Sequence, residues 1–588
     1  MDIPRPDHPL PQFERESWLN LNGDWTFAFD PGNSGLERAL YDSKGFGDKI
    51  LVPFCPESKL SGVQHIDFIE TMWYHRTFTV PDTWRGKRVL MHFGGVDFAS
   101  EVYVNGHRVG RHWGGATPFS YDVTQFAGFG TDTVNHLVVR VRDLLRSLTQ
   151  PAGKQRPEYD LRELRAHYTR TTGIWSTVWL EAVNRESLKR VQIIPDLNES
   201  RLIVIPTFTS WGESERGVTL RVSAALGDNA PVVVSARAAA GVPIMVELTD
   251  ARAWEPGNPQ LYDLKFDLLD GSGTAVDTVR SYSGLRSVRV EGNQVLLNNR
   301  PIYQRLVLDQ GFYPDSLWTA PTDADLKRDI ELSMAAGFNG ARLHQKVFDE
   351  RFHYWADRLG YLTWAEAPSW GMDSKKIESA RNFLAEWRSI VVTQRNHPSV
   401  IAWTPLNETR DVEPDPAQHG RFHEDLYDLT KALDPMRPVN DASGYVHVKT
   451  DLWTSHNYAQ DPATLDSMLD REKNGHVYRN YPQWEADYAG QPYLVDEFGG
   501  ILWVPEAMRD PADKGVWGYG EGPKTIAEFY SRLEGLIDAV LAQPYISGYC
   551  YTQLTDVEQE RNGIYTYDRK EKFDMNRVRS LFLKEPKR

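Results

Sequence analysis

From about residue 285 to its end, the chain alternates short apolar runs with segments that have the pattern of helices. Thr322 is placed to cap a helix that Gly337 would end. An apolar run at 338–343, a helical segment near 348–359 and a second apolar run at 361–364 follow. Repeats of this kind over about 300 residues predict a closed (β/α)8 barrel, with its reactive side chains at the carboxyl ends of the strands.

The chain before residue 285 has a different pattern, in which short alternating runs are separated by turn residues. In the first part, the pair Asn105-Gly106 follows one such run and predicts a tight hairpin. This pattern predicts a β-sandwich of the jelly-roll type, and the following hundred or so residues fit an immunoglobulin-like sandwich. We therefore predict three domains, the third being catalytic, at residues 1–185, 186–284 and 285–588.

The composition argues against several kinds of partner. The 588 residues carry a net charge of −15 and no long basic run, which disfavours nucleic acid. The chain has no run of 18 apolar residues and begins without an apolar leader, so we expect no membrane span and a cytoplasmic location. Its two cysteines, Cys55 and Cys550, cannot form a disulfide framework and are expected to be buried.

Two apolar runs of the barrel region end in an acid. Residues 401–406 lead to Asn407 and Glu408, and residues 493–495 lead to Asp496 and Glu497. If both runs are parallel strands of one barrel, their carboxylates lie at the same face. Two facing carboxylates are the working groups of glycoside hydrolysis, so this pair predicts an enzyme that cleaves sugars. The 19 Trp, 26 Tyr and 24 Phe suit the CH faces of sugar rings, although sandwich cores also use many aromatics.

The two acids would take different roles. Glu408 would be the general acid and later the base, which requires a raised pKa if it is to hold a proton near neutrality. Glu497 would be the nucleophile. The structural alternatives are a surface or helix-capping acid for Glu408 and a salt bridge to Arg342 for Glu497. The nucleophile and the salt bridge are compatible, because an arginine beside a carboxylate keeps it ionised.

Residues at the ends of other predicted strands complete the expected site. Asp496 should point away from the site, because side chains alternate along a strand. Gly499 and Gly500 would keep the backbone small where a sugar approaches. Each aromatic candidate can also be a core residue. The predicted substrate-binding residues are Arg342, His344, Trp370, Asn407, His456, Tyr458 and Tyr551.

Four motifs of the chain resemble those of glycoside hydrolase family 2, the group of β-galactosidases, β-glucuronidases and β-mannosidases. They are NLNGDWTF at 20–27, VYVNG at 102–106, TGIWSTVWLE at 172–181 and RNHPSVIAW at 395–403, the last leading to Asn407 and Glu408. The resemblance covers nearly the whole chain. It implies that Glu408 is the acid/base, that Glu497 is the nucleophile and that the enzyme retains the anomeric configuration.

Several segments depart from the family pattern. The stretch Asn-Arg-His-Glu of the galactosidases corresponds to QRLVLD at 304–309. No acid-and-histidine pair that would hold magnesium is found at 366–372, so neither a metal nor another cofactor is expected. The Asn-Lys pair by which glucuronidases bind a carboxylate is not evident after Glu497. A terminal β-galactoside is the first expectation, together with an α-L-arabinopyranoside of the same ring configuration. A β-D-galactofuranoside or an α-L-arabinofuranoside is the alternative.

The expected substrates are the ends of saccharide chains or small glycosides, because two sandwich domains would wall off one side of the pocket. A carbohydrate-binding protein that has lost catalysis is the competing hypothesis, although such a protein would be expected to lack one of the two acids. A purely structural protein would not explain why the acids are paired at strand ends. Whether the chain forms a homo-oligomer is left open.

Overall fold

A computed structural model of the chain describes residues 3–157, 166–209, 218–410, 412–509 and 515–587. The first domain is a sandwich of two antiparallel sheets, with the strand orders β1-β12-β5-β9 and β3-β2-β4-β10-β7-β8, and a small pair β6-β11. Inward-facing apolar residues of both sheets form its core. Strands β1 to β12 span Trp18–Asn20, Gly23–Phe29, Asp48–Val52, Thr71–Val80, Arg88–Phe93, Val96–Asp97, Ala99–Val104, His107–Trp113, Phe119–Asp122, Gly130–Arg142, Gly173–Ile174 and Val178–Val183.

The hairpin predicted at Asn105-Gly106 is confirmed. It joins β7 to β8, with Val104 paired to His107. The φ angles of Asn105 and Gly106 are 51° and 80°, both in the left-handed region, as a two-residue turn of this kind requires. Asparagine and glycine tolerate that region better than other residues, which is why the dipeptide is a reliable signal.

The second domain is a sandwich of a three-stranded sheet, β13-β14-β17, and a four-stranded sheet, β16-β15-β20-β21. Its strands alternate buried and exposed residues, and the buried ones form a separate core. Strands β13 to β21 span Leu188–Asp196, Arg201–Phe208, Thr219–Leu226, Val232–Arg237, Ile244–Glu247, Trp254–Glu255, Asn258–Pro259, Tyr262–Leu269 and Ala275–Ser283.

The third domain is a (β/α)8 barrel, which confirms the predicted fold class. After a three-stranded antiparallel lead-in of β22, β23 and β24, seven parallel strands follow the order β28-β27-β26-β25-β33-β32-β31, and the parallel pair β29-β30 lies between β28 and β31. Strands β22 to β33 span Val288–Glu291, Gln294–Leu297, Arg300–Pro301, Gln304–Asp309, Gly340–Leu343, Leu362–Glu366, Val400–Thr404, Leu406–Asn407, Ala442–Ser443, Trp453–Asn457, Tyr493–Gly499 and Ile546–Thr552. Helices α1 to α8 span Asp323–Ala336, Glu350–Leu359, Ile377–Gln394, Pro416–Leu433, Pro462–Leu469, Arg471–Asn474, Ile526–Leu541 and Met575–Phe582.

Helix α1 has the ends that the sequence predicts. The hydroxyl of Thr322 accepts a hydrogen bond from the backbone of Asp325, whose carboxylate accepts one from the backbone of Thr322 in return. Gly337 ends the helix with a φ of 104°, a conformation that costs glycine little. Both cysteines are buried and unpaired, as predicted. Within the described parts of the chain, no helix is long and apolar enough to span a membrane.

Buried carboxyl groups make the stability of the protein depend on pH. Burial raises the pKa of Glu386 in α3 to about 7. Its carboxylate accepts a hydrogen bond of 2.8 Å from the backbone of Ala116, which joins the barrel to the first domain. Glu57, in the first domain, has its pKa raised to about 7 by the same cause. In the unfolded chain both groups ionise near their ordinary pKa, so folding takes up protons between about pH 4.5 and pH 7.

We therefore expect the free energy of unfolding to fall as the pH rises through that window, by on the order of 3 kcal/mol for each such group. Urea unfolding of the wild type and of Glu386→Gln at several values between about pH 5 and pH 8 would measure the slope. The variant cannot ionise at this position and should show a smaller slope. An unchanged slope in a folded Glu386→Gln protein would contradict this assignment.

Candidate active site

The first predicted catalytic acid lies at a turn just after a barrel strand. Pro405 separates β28 from the short strand β29, and Glu408 follows β29 directly. The backbone of Glu408 has a φ of 50°, an unusual conformation for a residue with a side chain. Its amide donates a hydrogen bond of 3.0 Å to the carbonyl of Ser443 in β30. Such left-handed residues cost about 1–3 kcal/mol and cluster at functional sites, so the turn at Glu408 marks the site.

The second acid lies in a β-bulge of strand β32. Along the neighbouring strand β33, Val495 pairs with Tyr549 and Phe498 pairs with Tyr551, so β32 contains one residue more than its partner. An extra residue breaks the alternation of side chains. Asp496 and Glu497 therefore both contact Arg342, Asp496 at 3.4 Å and Glu497 at 2.6 Å. The prediction that Asp496 points away is wrong, because it assumed a regular strand.

The two acids converge. A carboxylate oxygen of Glu408 and one of Glu497 lie within 4.8 Å of each other. Carboxyl groups of a retaining glycosidase stand about 5–5.5 Å apart, and those of an inverting enzyme stand roughly 6.5–9.5 Å apart. The separation of these oxygens is compatible with the shorter, retaining arrangement. It suits a direct attack on the sugar by one of the acids.

Arg342, at the end of β26, organises the floor of the site. Its side chain is fully buried. Besides Asp496 and Glu497, its guanidinium reaches the carboxylate of Glu366 at 3.1 Å and donates to the amide oxygen of Asn407 at 3.1 Å. Burial alone would lower the pKa of Arg342, but the charges of Glu366, Glu497 and Asp496 raise it well above its ordinary value. Arg342 is therefore a permanent cation that balances the carboxylates.

His456, at the end of β31, bridges the two catalytic acids. Its Nδ1 donates to Glu408 at 2.8 Å and lies 3.3 Å from Glu497. Its Nε2 donates to the hydroxyl of Ser443 at 3.0 Å, and that hydroxyl donates to Asp496 at 2.6 Å. Burial alone would lower the pKa of His456, but the charges of Glu497 and Asp496 and the hydrogen bonds to its ring raise it to about 10. The imidazole is therefore protonated at neutral pH.

This cation changes the expected ionisation of Glu408. Burial would raise the pKa of Glu408, but the hydrogen bond and charge of His456 lower it below the ordinary value. The expectation of a raised pKa is wrong for the ligand-free site. Nδ1 of His456 lies 2.8 Å from Glu408, close enough for a proton to pass between the two groups.

Tyr458 contacts Glu497 directly, whereas His344 contacts Arg342 and Glu366. The hydroxyl of Tyr458 donates to Glu497 at 2.5 Å and lies 2.9 Å from the hydroxyl of Thr552. Its ring stacks on that of Tyr519 with centroids 3.4 Å apart. His344 lies between Arg342 and Glu366, 3.1 Å from the carboxylate of Glu366. Burial and the charge of Arg342 lower the pKa of His344 well below its ordinary value, so its ring is neutral.

Glu408 lines a cavity of about 690 Å³ at the carboxyl ends of the strands, and so does Tyr458, which hydrogen-bonds to Glu497. Trp370 lines it, and the indole nitrogen donates to the carbonyl of Asn407 at 3.2 Å. The first domain closes one side, because Ala152 donates a backbone hydrogen bond of 2.7 Å to Trp370 and His167 lines the cavity. The ammonium of Lys154 lies 4.5 Å from the centre of the Trp370 ring. A sandwich domain therefore walls the pocket.

One predicted site residue lies elsewhere. The ring of Tyr551 is fully buried between those of Phe498 and Phe582, with centroid distances of 5.6 Å and 5.1 Å, in the apolar core outside the strands. The next residue, Thr552, is the one that faces the site. The substrate-binding role of Tyr551 is therefore corrected, because the parity of β33 places its side chain on the outer face.

The two glycines after Glu497 serve the packing of tyrosine rings. Gly499 and Gly500 have φ angles of 83° and 61°. A methyl group on Gly499 would lie within 2.3 Å of the Tyr551 ring, and one on Gly500 within 2.3 Å of the Tyr519 ring. Any side chain at either position would displace an aromatic neighbour. The close approach of these tyrosine rings therefore explains why both positions are glycine, whether or not a sugar approaches the backbone there.

Sequence reasoning missed several residues of the site. Glu366 and Ser443 end the strands β27 and β30, so their position at strand ends was a usable signal. Tyr519 follows a long loop, and Lys154 and His167 belong to another domain. No local pattern connects these three residues to the barrel.

The cluster of Glu408, His456 and Glu497 has a spacing that a metal ion can also use. A histidine that binds a metal must be neutral. Both ring nitrogens of His456 make hydrogen bonds within the site, so a metal ion bound by His456 would have to replace the bond to Glu408 or the bond to Ser443.

A closed barrel that brings two carboxylates together above a buried arginine defines a glycoside hydrolase. Comparison with known families agrees along the chain. The sugar binding domain of glycosyl hydrolases family 2 matches residues 19–147, a further family 2 domain matches 187–286, and the family 2 TIM barrel domain matches 288–501. The chain belongs to glycoside hydrolase family 2. The alternatives of a non-catalytic binding protein and a structural protein are not supported.

Relatives within the family carry different activities in their names. A β-glucuronidase of Paenibacillus borealis is 24% identical over 95% of this chain and 96% of its own length. A β-galactosidase of Thermoanaerobacter pseudethanolicus is 24% identical over 72% of this chain, but over only 55% of its own length. The fold is similar to that of a β-glucuronidase from Ruminococcus gnavus in complex with D-glucuronic acid, with a TM-score of 0.80 at 21% identity, covering 98% of this chain and 99% of that one.

Proposed function

We propose that the protein is a retaining exo-glycosidase that releases a terminal, uncharged sugar, a β-galactosyl group in the first instance. The observation that carries the mechanism is the separation of at most 4.8 Å between the carboxylates of Glu408 and Glu497. At that separation the substrate's anomeric carbon can be reached by one acid while the other reaches its glycosidic oxygen.

The reaction proceeds in two displacements. An oxygen of Glu497 bonds to the anomeric carbon as the bond from that carbon to the leaving oxygen breaks, and Glu408 gives the leaving oxygen a proton. Water then attacks the same carbon and breaks its bond to Glu497, while Glu408 takes a proton from the water. The two inversions leave the anomeric configuration unchanged.

The residues around the acids support this division of roles. Arg342 and Tyr458 donate to different oxygens of Glu497, which orients the carboxylate. Among the described residues, the amide nitrogen of Asn407 has no hydrogen-bond partner, although its oxygen is fixed by Arg342. Asn407 immediately precedes Glu408 in the sequence. We propose that its amide nitrogen donates a hydrogen bond to a hydroxyl group of the terminal sugar.

The charges near the cavity favour an uncharged sugar. Glu560 is buried, accepts a hydrogen bond of 3.0 Å from Asn562, and contacts the hydroxyl of Tyr168. Burial raises the pKa of Glu560 and the nearby charge of Glu497 adds to the shift, while the charge of Lys154 opposes it. A negative group placed between Glu497 and Glu560 would be repelled by both carboxylates. A sugar carboxylate is therefore disfavoured there.

A β-glucuronide is the second candidate, since β-glucuronidases are among the relatives and Lys154 offers a cation. Lys154 is 8% exposed. Its ammonium lies 4.5 Å from the centre of the Trp370 ring, and its positive charge acts on Glu408 and Glu560. A furanoside, β-D-galactofuranosyl or α-L-arabinofuranosyl, is the alternative among uncharged sugars.

A panel of 4-nitrophenyl glycosides tests the choice of sugar. We expect kcat/KM for the β-D-galactopyranoside or the α-L-arabinopyranoside to exceed that for the β-D-glucuronide by about 100-fold or more, because a carboxylate would be placed among acids. The two furanosides and a β-D-mannoside complete the panel. A glucuronide that ranks first, and that loses its activity in Lys154→Met while the galactoside does not, would overturn the proposal in favour of the second candidate.

A further inference from the structure

Three aromatic side chains continue outward from the acid pair. Tyr445 lines the cavity, and its ring centroid lies 5.7 Å from that of His456. The ring of Tyr481 meets Tyr445 edge-on at 5.0 Å. Trp484 stacks on Tyr481 at 5.5 Å with an angle of 20° between the rings. We call these three residues the aromatic track.

The track is held in a defined position relative to the catalytic acids. The side chain of Asn480, next to Tyr481, accepts from the backbone amide of His456 at 3.1 Å and donates to its carbonyl at 2.8 Å. Glu485, next to Trp484, accepts from the backbone of Tyr481 at 3.1 Å and from Arg479 at 2.8 Å. These contacts tie the loop before β32 to the strand that carries His456.

The two ends of the track differ in their surroundings. Tyr445 has a φ of 42°, which is unfavourable for a bulky residue, and its hydroxyl bonds to Glu408. Trp484, at the outer end, is 37% exposed, which is unusual for so large an apolar side chain. A series of aromatic rings in contact therefore runs from Tyr445, in the cavity wall, to the partly exposed Trp484.

We propose that the aromatic track binds the leaving group, and that this leaving group is a saccharide of at least two rings. The inference rests on the proposed exo-glycosidase function. Glu408 must give its proton to the glycosidic oxygen, so the leaving group departs on the side of Glu408, where Tyr445 begins the track. Sugar rings present apolar CH faces that pack on aromatic rings.

Polar groups beside the track suit a saccharide better than a small aromatic leaving group. Arg410 lines the cavity and hydrogen-bonds to Tyr481. Thr409 and Ser374 also line the cavity and offer hydroxyl groups. A saccharide has hydroxyl groups at its rim for these partners, whereas one aryl ring would be covered by Tyr445 and leave Trp484 unused.

Transfer to added acceptors tests the inference directly. In a retaining enzyme, a sugar bound at the leaving-group site can replace water and accept the glycosyl group from Glu497. The donor would be the 4-nitrophenyl glycoside that the wild type hydrolyses fastest. The acceptors would be methyl β-D-glucopyranoside, with one ring, and methyl β-cellobioside and methyl β-lactoside, with two. The rates of nitrophenol release and of transfer product would be measured separately.

We expect Trp484→Ala to raise the concentration of the two-ring acceptors needed for half-maximal transfer by about tenfold relative to the wild type. The one-ring acceptor should be affected less, because it does not reach Trp484. Trp113→Ala is the matched control, since Trp113 is 59% exposed on the first domain, at the end of β8, and lies outside the track. It should leave transfer unchanged.

Three results would overturn the inference. They are wild-type transfer that does not saturate with any acceptor, a Trp484→Ala protein that transfers like wild type, and a variant impaired only toward nitrophenyl glycosides, which would assign the track to aryl leaving groups. Each presupposes a working donor. A protein that hydrolyses no glycoside of the panel would instead refute the proposed function before an acceptor is added.

Discussion

Replacement of Glu497 by alanine is expected to lower turnover of every substrate by at least about 10⁴-fold, since no other group can form the bond to the anomeric carbon. The effect should be the same for good and poor leaving groups, because both require the nucleophile. Folding should be preserved, since Arg342 keeps Glu366 and Asp496 as partners. Thermal unfolding of the variant would check this, and kcat/KM for 4-nitrophenyl glycosides would measure the loss.

Azide provides a stereochemical control for this variant. The space left by the carboxylate can admit a small anion, held there by Arg342. Azide would attack the anomeric carbon once, so the product should be a glycosyl azide of inverted configuration, identifiable by NMR. Turnover of the Glu497→Ala protein at the wild-type rate, or rescue that gives the retained product, would remove Glu497 from the nucleophile's role.

Replacement of Glu408 by alanine is expected to act according to the leaving group. For substrates whose leaving group needs a proton, the first displacement should slow by about 10²–10⁴-fold. For 2,4-dinitrophenyl glycosides the same step should be nearly unchanged, because dinitrophenolate is a stable anion that leaves without a proton. Pre-steady-state release of dinitrophenol isolates this step, because the second displacement also needs Glu408 as a base.

The Glu408 variant has its own controls. Azide should now react with the glycosyl group on Glu497 and give the retained product, opposite to that of the Glu497 variant. In the wild type, the first displacement of poor leaving groups should slow as the pH rises and the Glu408–His456 pair loses its proton. That dependence should disappear in Glu408→Ala. Equal damage to good and poor leaving groups in the first step would contradict the acid role.

Much of the site was predictable because its signals are local. Glu408 and Glu497 each end an apolar run, and parallel strands of a barrel bring such ends to one face. Arg342, Asn407, His456 and Tyr458 were predicted as site residues on the same ground, and in the structure all four contact one of the acids or each other. Their roles toward a substrate remain predictions.

Two of the wrong predictions, those for Tyr551 and Asp496, have a common cause in strand register. The sequence predicts Tyr551 in the pocket, but the alternation of side chains along β33 directs Thr552 to the site and Tyr551 to the opposite face. Asp496 was expected to point away, but one additional residue in β32 brings it to Arg342. A shift of one position reverses the face of a side chain, and the apolar pattern of a fully buried strand does not reveal such a shift.

By itself, the sequence determined the order of two sandwiches and a barrel, the turns and caps at particular residues, and the pair of acids at strand ends. These features follow from periodicity and from residues that are neighbours along the chain. Only the tertiary structure decided that His456 hydrogen-bonds to Glu408, that Lys154 and His167 reach the site from another domain, and that a series of aromatic rings continues from Tyr445 to Trp484. Ionisation and cavity shape depend on distances between residues far apart in the chain, which a linear pattern does not contain.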